Sequence, residues 1–195
     1  MINLKVIKYA ALSILVSVGI IYTIESFKKP INKNIDKFGM RNFIIGDSHA
    51  VGIGSLIKNV VVDSRIANSG WTLSKLLFNL NKYPIREDVC RVFISIGTNG
   101  AFDKADNILG IILLVENKFP NAEIFVIKGS YGWGVNKKVK KEYYDDYYYK
   151  FKSHGIKILE NELGYFDTSL EAHSTKTTQA KKIINEISSI VNSWK

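Results

Sequence analysis

The sequence predicts a layered α/β sandwich, and three observations carry that prediction. Short apolar runs recur along the chain, most of them closed by Gly, Asp or Pro. Between them lie longer segments whose apolar residues repeat at helical spacing. The apolar runs are nearly continuous rather than alternating, as strands covered on both faces are. Strands alternating with helices in this way give a mostly parallel sheet with helices on both sides.

Each element has its own warrant. Phe43-Ile44-Ile45 centres a first strand at 42–46, which Gly46 and Asp47 break before a helix over 50–57. Val60-Val61-Val62 opens a second strand through Ile66, punctuated by Gly70. Thr72 is placed to cap a helix carrying Leu73, Leu76, Leu77 and Leu80 on one face, which Pro84 closes. Residues 92–96 form a third strand, and Ile108, Ile111, Ile112 and Val115 mark a helix ended by Pro120. Residues 124–127 form a fourth strand and 137–153 a helix, with Gly155 before a short fifth strand at 156–159. In the 137–153 helix, Tyr143, Tyr144, Tyr147, Tyr148 and Tyr149 cover more than one face, so some pack on the sheet and others stay exposed. The last helix carries Ile183, Ile184, Ile187, Ile190, Val191 and Trp194 on one stripe.

Composition bounds the class. With 195 residues, 46% of them hydrophobic, the chain suits one domain plus a short appendage. The single cysteine, Cys90, excludes an internal disulfide and is expected to be a buried structural thiol. No Cys/His cluster has zinc spacing, so neither metal nor cofactor is implied. The net charge of +9 is spread along the chain without any nucleic-acid motif, so nucleic acid is not an expected partner.

Residues 9–24 contain no charge; Lys5 and Lys8 precede them, and Glu25, Lys28 and Lys29 follow. This segment lies at the short end of the membrane-spanning range. No small-x-small cleavage site follows the apolar run, which favours an uncleaved single-pass anchor over a signal peptide. The expected organisation is therefore an anchor at 1–29, a polar linker at 30–41 and a globular domain at 42–195.

The domain begins with its most informative stretch. Ser48 follows a strand end in Gly46-Asp47-Ser48, so its hydroxyl would face the carboxyl edge of the sheet and its N–H would head a helix. Gly70 follows in Asn68-Ser69-Gly70-Trp71, Asn99 in Gly97-Thr98-Asn99-Gly100, and His173 in Ala172-His173-Ser174 before the last helix. Each block alone has a plainer reading. Ser48 and His173 suit helix caps, Gly70 a turn, and Asn99 a left-handed turn position. His49 reads as a neighbour of Ser48 rather than a base, because adjacent side chains diverge. Together, and in this order, the four blocks resemble those of the SGNH, or GDSL, hydrolase family over roughly residues 41–195.

The resemblance implies a flavodoxin-like α/β/α sandwich with a five-stranded sheet, and a serine esterase. Ser48 would be the nucleophile and His173 the general base. The N–H groups of Ser48 and Gly70 and the Asn99 amide would form the oxyanion hole. The chain departs from the family pattern twice. The third block usually reads Gly-x-Asn-Asp, and Gly100 stands in its last place. The last block usually reads Asp-x-x-His, and Leu170 stands three before His173. Glu171 is then the orienting carboxylate expected for His173, with Asp167 or a backbone carbonyl as alternatives.

After the fourth strand, the loop Gly129-Ser130-Tyr131-Gly132-Trp133-Gly134 should lie at the same edge, with Tyr131 and Trp133 exposed to stack on substrate. The expected substrate is an acyl ester, an O-acetylated glycan or a lipid. An O-acyltransferase using the same site, or a degenerate glycan- or protein-binding module, is the alternative. Hydrolases with such anchors act outside the membrane. The exported side is therefore the expected location, although Lys28, Lys29, Lys33 and Lys37 outnumber Lys5 and Lys8 against it.

Overall fold

The computed structural model describes residues 39–132, 134–159 and 178–193. All of them belong to one unit spanning 37–195. The expected anchor at 1–29 lies outside the described residues, and among those residues no helix is long and apolar enough to cross a membrane.

Five strands form one parallel sheet in the order β2-β1-β3-β4-β5. They are β1 (Arg41–Gly46), β2 (Val60–Ala67), β3 (Val89–Ser95), β4 (Glu123–Ile127) and β5 (Lys157–Leu159). The helices are α1 (Ser48–Gly54), α2 (Leu73–Lys82), α3 (Ile108–Lys118), α4 (Lys141–Ser153) and α5 (Thr178–Asn192). The order places β1 in the interior, with its crossover to β2 leaving one way and the β2–β3 crossover returning past it. At such a switch point the loops beyond the carboxyl ends of the strands diverge and leave a crevice.

Strand pleating divides the core. Phe43 and Ile45 of β1, with Val92 and Ile94 of β3, pack against Leu73, Leu76 and Leu80 of α2, Ile111 and Val115 of α3, and the tyrosines of α4. Ile44 and Phe93 face the opposite way, onto Ala50 and Ile53 of α1 and Ile183, Ile187 and Val191 of α5. Buried side chains of this size each stabilise the fold by roughly 1.5–3 kcal/mol. Among the α4 tyrosines, Tyr144, Tyr147 and Tyr148 are buried while Tyr143 and Tyr149 are exposed, as their spacing requires.

Three expectations need correction. The third strand begins at Val89 rather than 92, because Val89 is itself buried and pairs beside Arg41. The helix expected from 137 begins at Lys141. A 3-10 turn at Gly134–Asn136 precedes it, and Lys140 is extended with no side-chain cap. Cys90 is half-buried rather than buried, with Sγ 3.4 Å from the Arg41 carbonyl at the rim of the sheet. Trp194 lies outside the described residues.

Candidate active site

The nucleophile loop is built from backbone constraints. Gly46 ends β1 at φ +133, where a Cβ would stand 1.8 Å from the Ser95 carbonyl oxygen of β3. Only glycine fits so close an approach. Asp47 N–H then donates to that same oxygen at 2.9 Å. The Asp47 carboxyl turns back as the cap of α1, its Oδ1 accepting from His49 N–H at 3.0 Å. Ser48 is thereby the first residue of α1, half-buried at the carboxyl edge.

Asp47 is fully buried, and among the described residues its Oδ2 has no hydrogen-bond partner. Burial pushes its pKa up to about 7, although the N–H groups of His49 and Ala50 pull the other way. His49 is also buried, and its Nε2 shares a hydrogen bond of 3.1 Å with Ser130 Oγ. That bond joins the start of α1 to the loop after β4. It occupies one ring nitrogen of His49 in a structural contact.

The other two blocks converge on this loop. Asn68 N–H donates to the Gly46 carbonyl at 3.0 Å, fastening the segment after β2 to the end of β1. Gly70 is exposed at φ +78, and among the described residues nothing lies within 4 Å of where a Cβ would be. Its positive φ suits glycine, and the open space in front of it leaves its backbone approachable. Asn99 sits half-buried on a 3-10 turn, Thr98–Gly100, directly after β3. Its Nδ2 donates to the Trp71 carbonyl at 3.1 Å. A side-chain amide carries two N–H donors. One is spent on the Gly70–Trp71 segment, and the second is the donor an oxyanion would use.

The segments carrying Ser48, Gly70 and Asn99 are thus tied to one another at one edge of the sheet. His173, Glu171 and Trp133 lie outside the described residues. Tyr131 does not have the exposure expected of it. It is 8% exposed, and its ring packs on Tyr144 of α4 with centroids 4.5 Å apart. The aromatic core under α4 draws it inward, so it lines the interior rather than the mouth.

Sequence reasoning missed the polar residues behind the site. Thr98, Tyr147 and Ser130 are buried there, and Asp106 is half-buried with its Oδ2 enclosed. Among the described residues, no group of three or more His, Cys, Asp or Glu converges as metal ligands would. A cavity of about 780 Å³ opens beside Arg91, Glu123, Lys157 and Glu186. Arg91 and Glu123 lie near the amino ends of β3 and β4, so this cavity belongs to the edge opposite Ser48.

No family model and no curated protein matches the sequence. Solved structures do resemble it. One is a protein assigned to the lipolytic G-D-S-L family from Desulfitobacterium hafniense, 17% identical, covering 78% of this chain and 99% of that one at a TM-score of 0.53. Another is a family two carbohydrate esterase from Clostridium thermocellum in complex with cellohexaose, 16% identical, covering 84% and 66% at 0.46. A third is a G-D-S-L lipolytic protein from Veillonella parvula, 15% identical, covering 62% and 77% at 0.44. The domain has an SGNH/GDSL hydrolase-like fold.

Proposed function

We propose that this protein is a serine hydrolase of carboxylic esters. The observation that carries the reading is the convergence of Ser48, Gly70 and Asn99 at one sheet edge through Asp47–Ser95, Asn68–Gly46 and Asn99–Trp71 hydrogen bonds. Ser48 Oγ attacks the ester carbonyl, and His173 takes the hydroxyl proton and returns it to the leaving alcohol. The carbonyl oxygen becomes an oxyanion facing the N–H groups of Ser48 and Gly70 and the second N–H of Asn99. One such donor is worth roughly 3–4 kcal/mol in the transition state. Water then attacks the acyl-enzyme carbonyl, His173 taking its proton and giving it to Ser48 Oγ as the carboxylic acid leaves. Glu171 orients His173 in this reading. The substrate is an O-acetylated glycan or a lipid ester, and residues 9–24 anchor the domain at a membrane with its site on the exported side. An acyltransferase would differ only in replacing the water by a second alcohol.

The binding-module alternative is motivated by Leu170 standing where the family has its orienting Asp, and it would hold its partner on an edge formed by Tyr131 and Trp133. Burial of Tyr131 removes half of that platform. The deciding experiment is fluorophosphonate labelling of the full chain beside Ser48→Ala and His173→Ala. Labelling that vanishes in the first variant and weakens in the second is expected. A folded wild type that neither labels nor turns over p-nitrophenyl acetate would refute the reading.

A further inference from the structure

The Asn99 turn is supported from within by two side chains drawn from later in the chain. The Tyr147 ring lies beneath Gly97, where a Cβ would be 2.9 Å from the ring carbons. The Asp106 carboxyl stands beside Gly100, where a Cβ would be 3.8 Å from Asp106 Oδ2 and, among the described residues, within 4 Å of nothing else. Asn99 is held between these two glycines.

The chain is bent to bring Asp106 there. Ala101 and Phe102 both take left-handed backbone conformations, at φ 56 and 53. Non-glycine residues seldom do so, and two in succession store strain that the surroundings must hold. Phe102 is 1% exposed and packs edge-on against Tyr144 and Tyr147. Asp106 Oδ2 and the Tyr147 hydroxyl are buried, and neither completes a hydrogen bond of ordinary geometry among the described residues. They nevertheless face each other closely enough to perturb one another's ionisation. Buried polar atoms left in this state call for an explanation.

We propose that Asp106 is a positioning residue for Asn99, supplying beside Gly100 the carboxylate that a glycine at that place cannot carry. Tyr147 backs it, so that side chains bear on the turn at both glycines and the second amide N–H of Asn99 keeps its aim. This rests on the reading of Asn99 as an oxyanion donor. Preorganised donors stabilise a transition state only when their support is rigid. Among the described residues, the groups facing Asp106 are Tyr147, Asp103 and Lys150. Burial, with Asp103, pushes its pKa up to about 6, so it is mostly ionised at neutral pH.

Steady-state turnover of p-nitrophenyl acetate by the full chain tests the proposal. Asp106→Ala lowers kcat by roughly 10- to 100-fold with KM little changed, as a misplaced donor does. In an Asn99→Ala background it costs nothing further, because its effect passes through Asn99. Gly100→Asp placed in the Asp106→Ala chain returns the carboxylate to the turn and restores most of kcat. Losses that add in the double variant, or a kcat that Gly100→Asp leaves unrestored, overturn the proposal. Should the wild type lack turnover, the hydrolase reading fails, and the Asn99 side-chain amide resonance decides the positioning claim. Its shift must move in Asp106→Ala and return with Gly100→Asp; a resonance that stays put sinks the proposal.

Discussion

Two turns at the same edge of the sheet are held by different means. The turn after β1, carrying Ser48, is held almost wholly by main chain. Gly46 lies against the Ser95 carbonyl, Asp47 N–H donates to that oxygen, and the Asp47 carboxyl caps the following helix. The turn after β3, carrying Asn99, closes with Gly100 and Phe102 N–H both donating to the Gly97 carbonyl at 3.1 Å, and side chains from elsewhere bear on it besides: the Tyr147 ring, the Asp106 carboxyl beside Gly100 and the Asn99 bond to the Trp71 carbonyl. A main-chain clamp has nowhere to yield. Side-chain support can be adjusted one residue at a time, which suits the oxyanion-donor role proposed for Asn99.

Substitutions that fill the two turns should separate them. Gly46→Ala forces a Cβ to 1.8 Å from a backbone oxygen at positive φ. It should destabilise the domain by about 4 kcal/mol or more, read by urea unfolding, since neither strand can withdraw. Should the loss be below about 1 kcal/mol, the picture of a rigid first turn is wrong.

Asp47→Asn tests what its cap carries. The folded pKa of Asp47, about 7, lies well above the ordinary aspartate range of about 4, so the folded state holds its proton longer than the unfolded chain. Stability from this group is therefore present in acid and lost as pH rises from about 4 through 7. Between pH 5 and 8 the wild type should lose roughly 3 kcal/mol more than the Asn variant, which keeps the cap and cannot ionise. Parallel pH–stability curves for the two proteins would show that the buried carboxyl carries no such penalty.

Gly97→Ala is the smallest of the three. Its Cβ would meet Tyr147 ring atoms at 2.9 Å and Phe102 at 3.0 Å, again at positive φ, but rings can shift where a backbone cannot. A loss of roughly 1–3 kcal/mol is expected, with Ser48 labelling kept and turnover lowered as Asn99 is displaced. A loss as large as that of Gly46→Ala would erase the contrast between the turns.

The same contrast explains what was legible in the sequence. The first turn is local: an apolar run, a glycine and a serine stand next to one another and announce it, although the cap is Asp47 and not Ser48, which the sequence alone suits to that place. The strands were legible because both of their faces are covered, which leaves nearly continuous apolar runs. The supports of the second turn were not. Tyr147 lies 50 residues after Gly97, and nothing in its tyrosine-rich helix marks which ring reaches the site. Tyr131 was misread for a related reason. Flanking glycines suggest an exposed loop, yet Tyr144, from the following helix, supplies a surface for its ring. Lysines at 137, 138 and 140 hid the true start of that helix, because they extend a helical pattern without supplying a cap.

The sheet order has a kinetic consequence. β1 pairs on one side with β2 and on the other with β3, whose residues lie nearly 50 positions away (Phe43 with Val92). Parallel pairings of that separation close large loops before they gain contacts, and they form slowly. Ser48, Gly70 and Asn99 meet only when all three strands are docked, so no partly folded chain holds the assembled site. Recovery of an activated Ser48 during refolding should therefore lag behind helix formation and report the last pairing event.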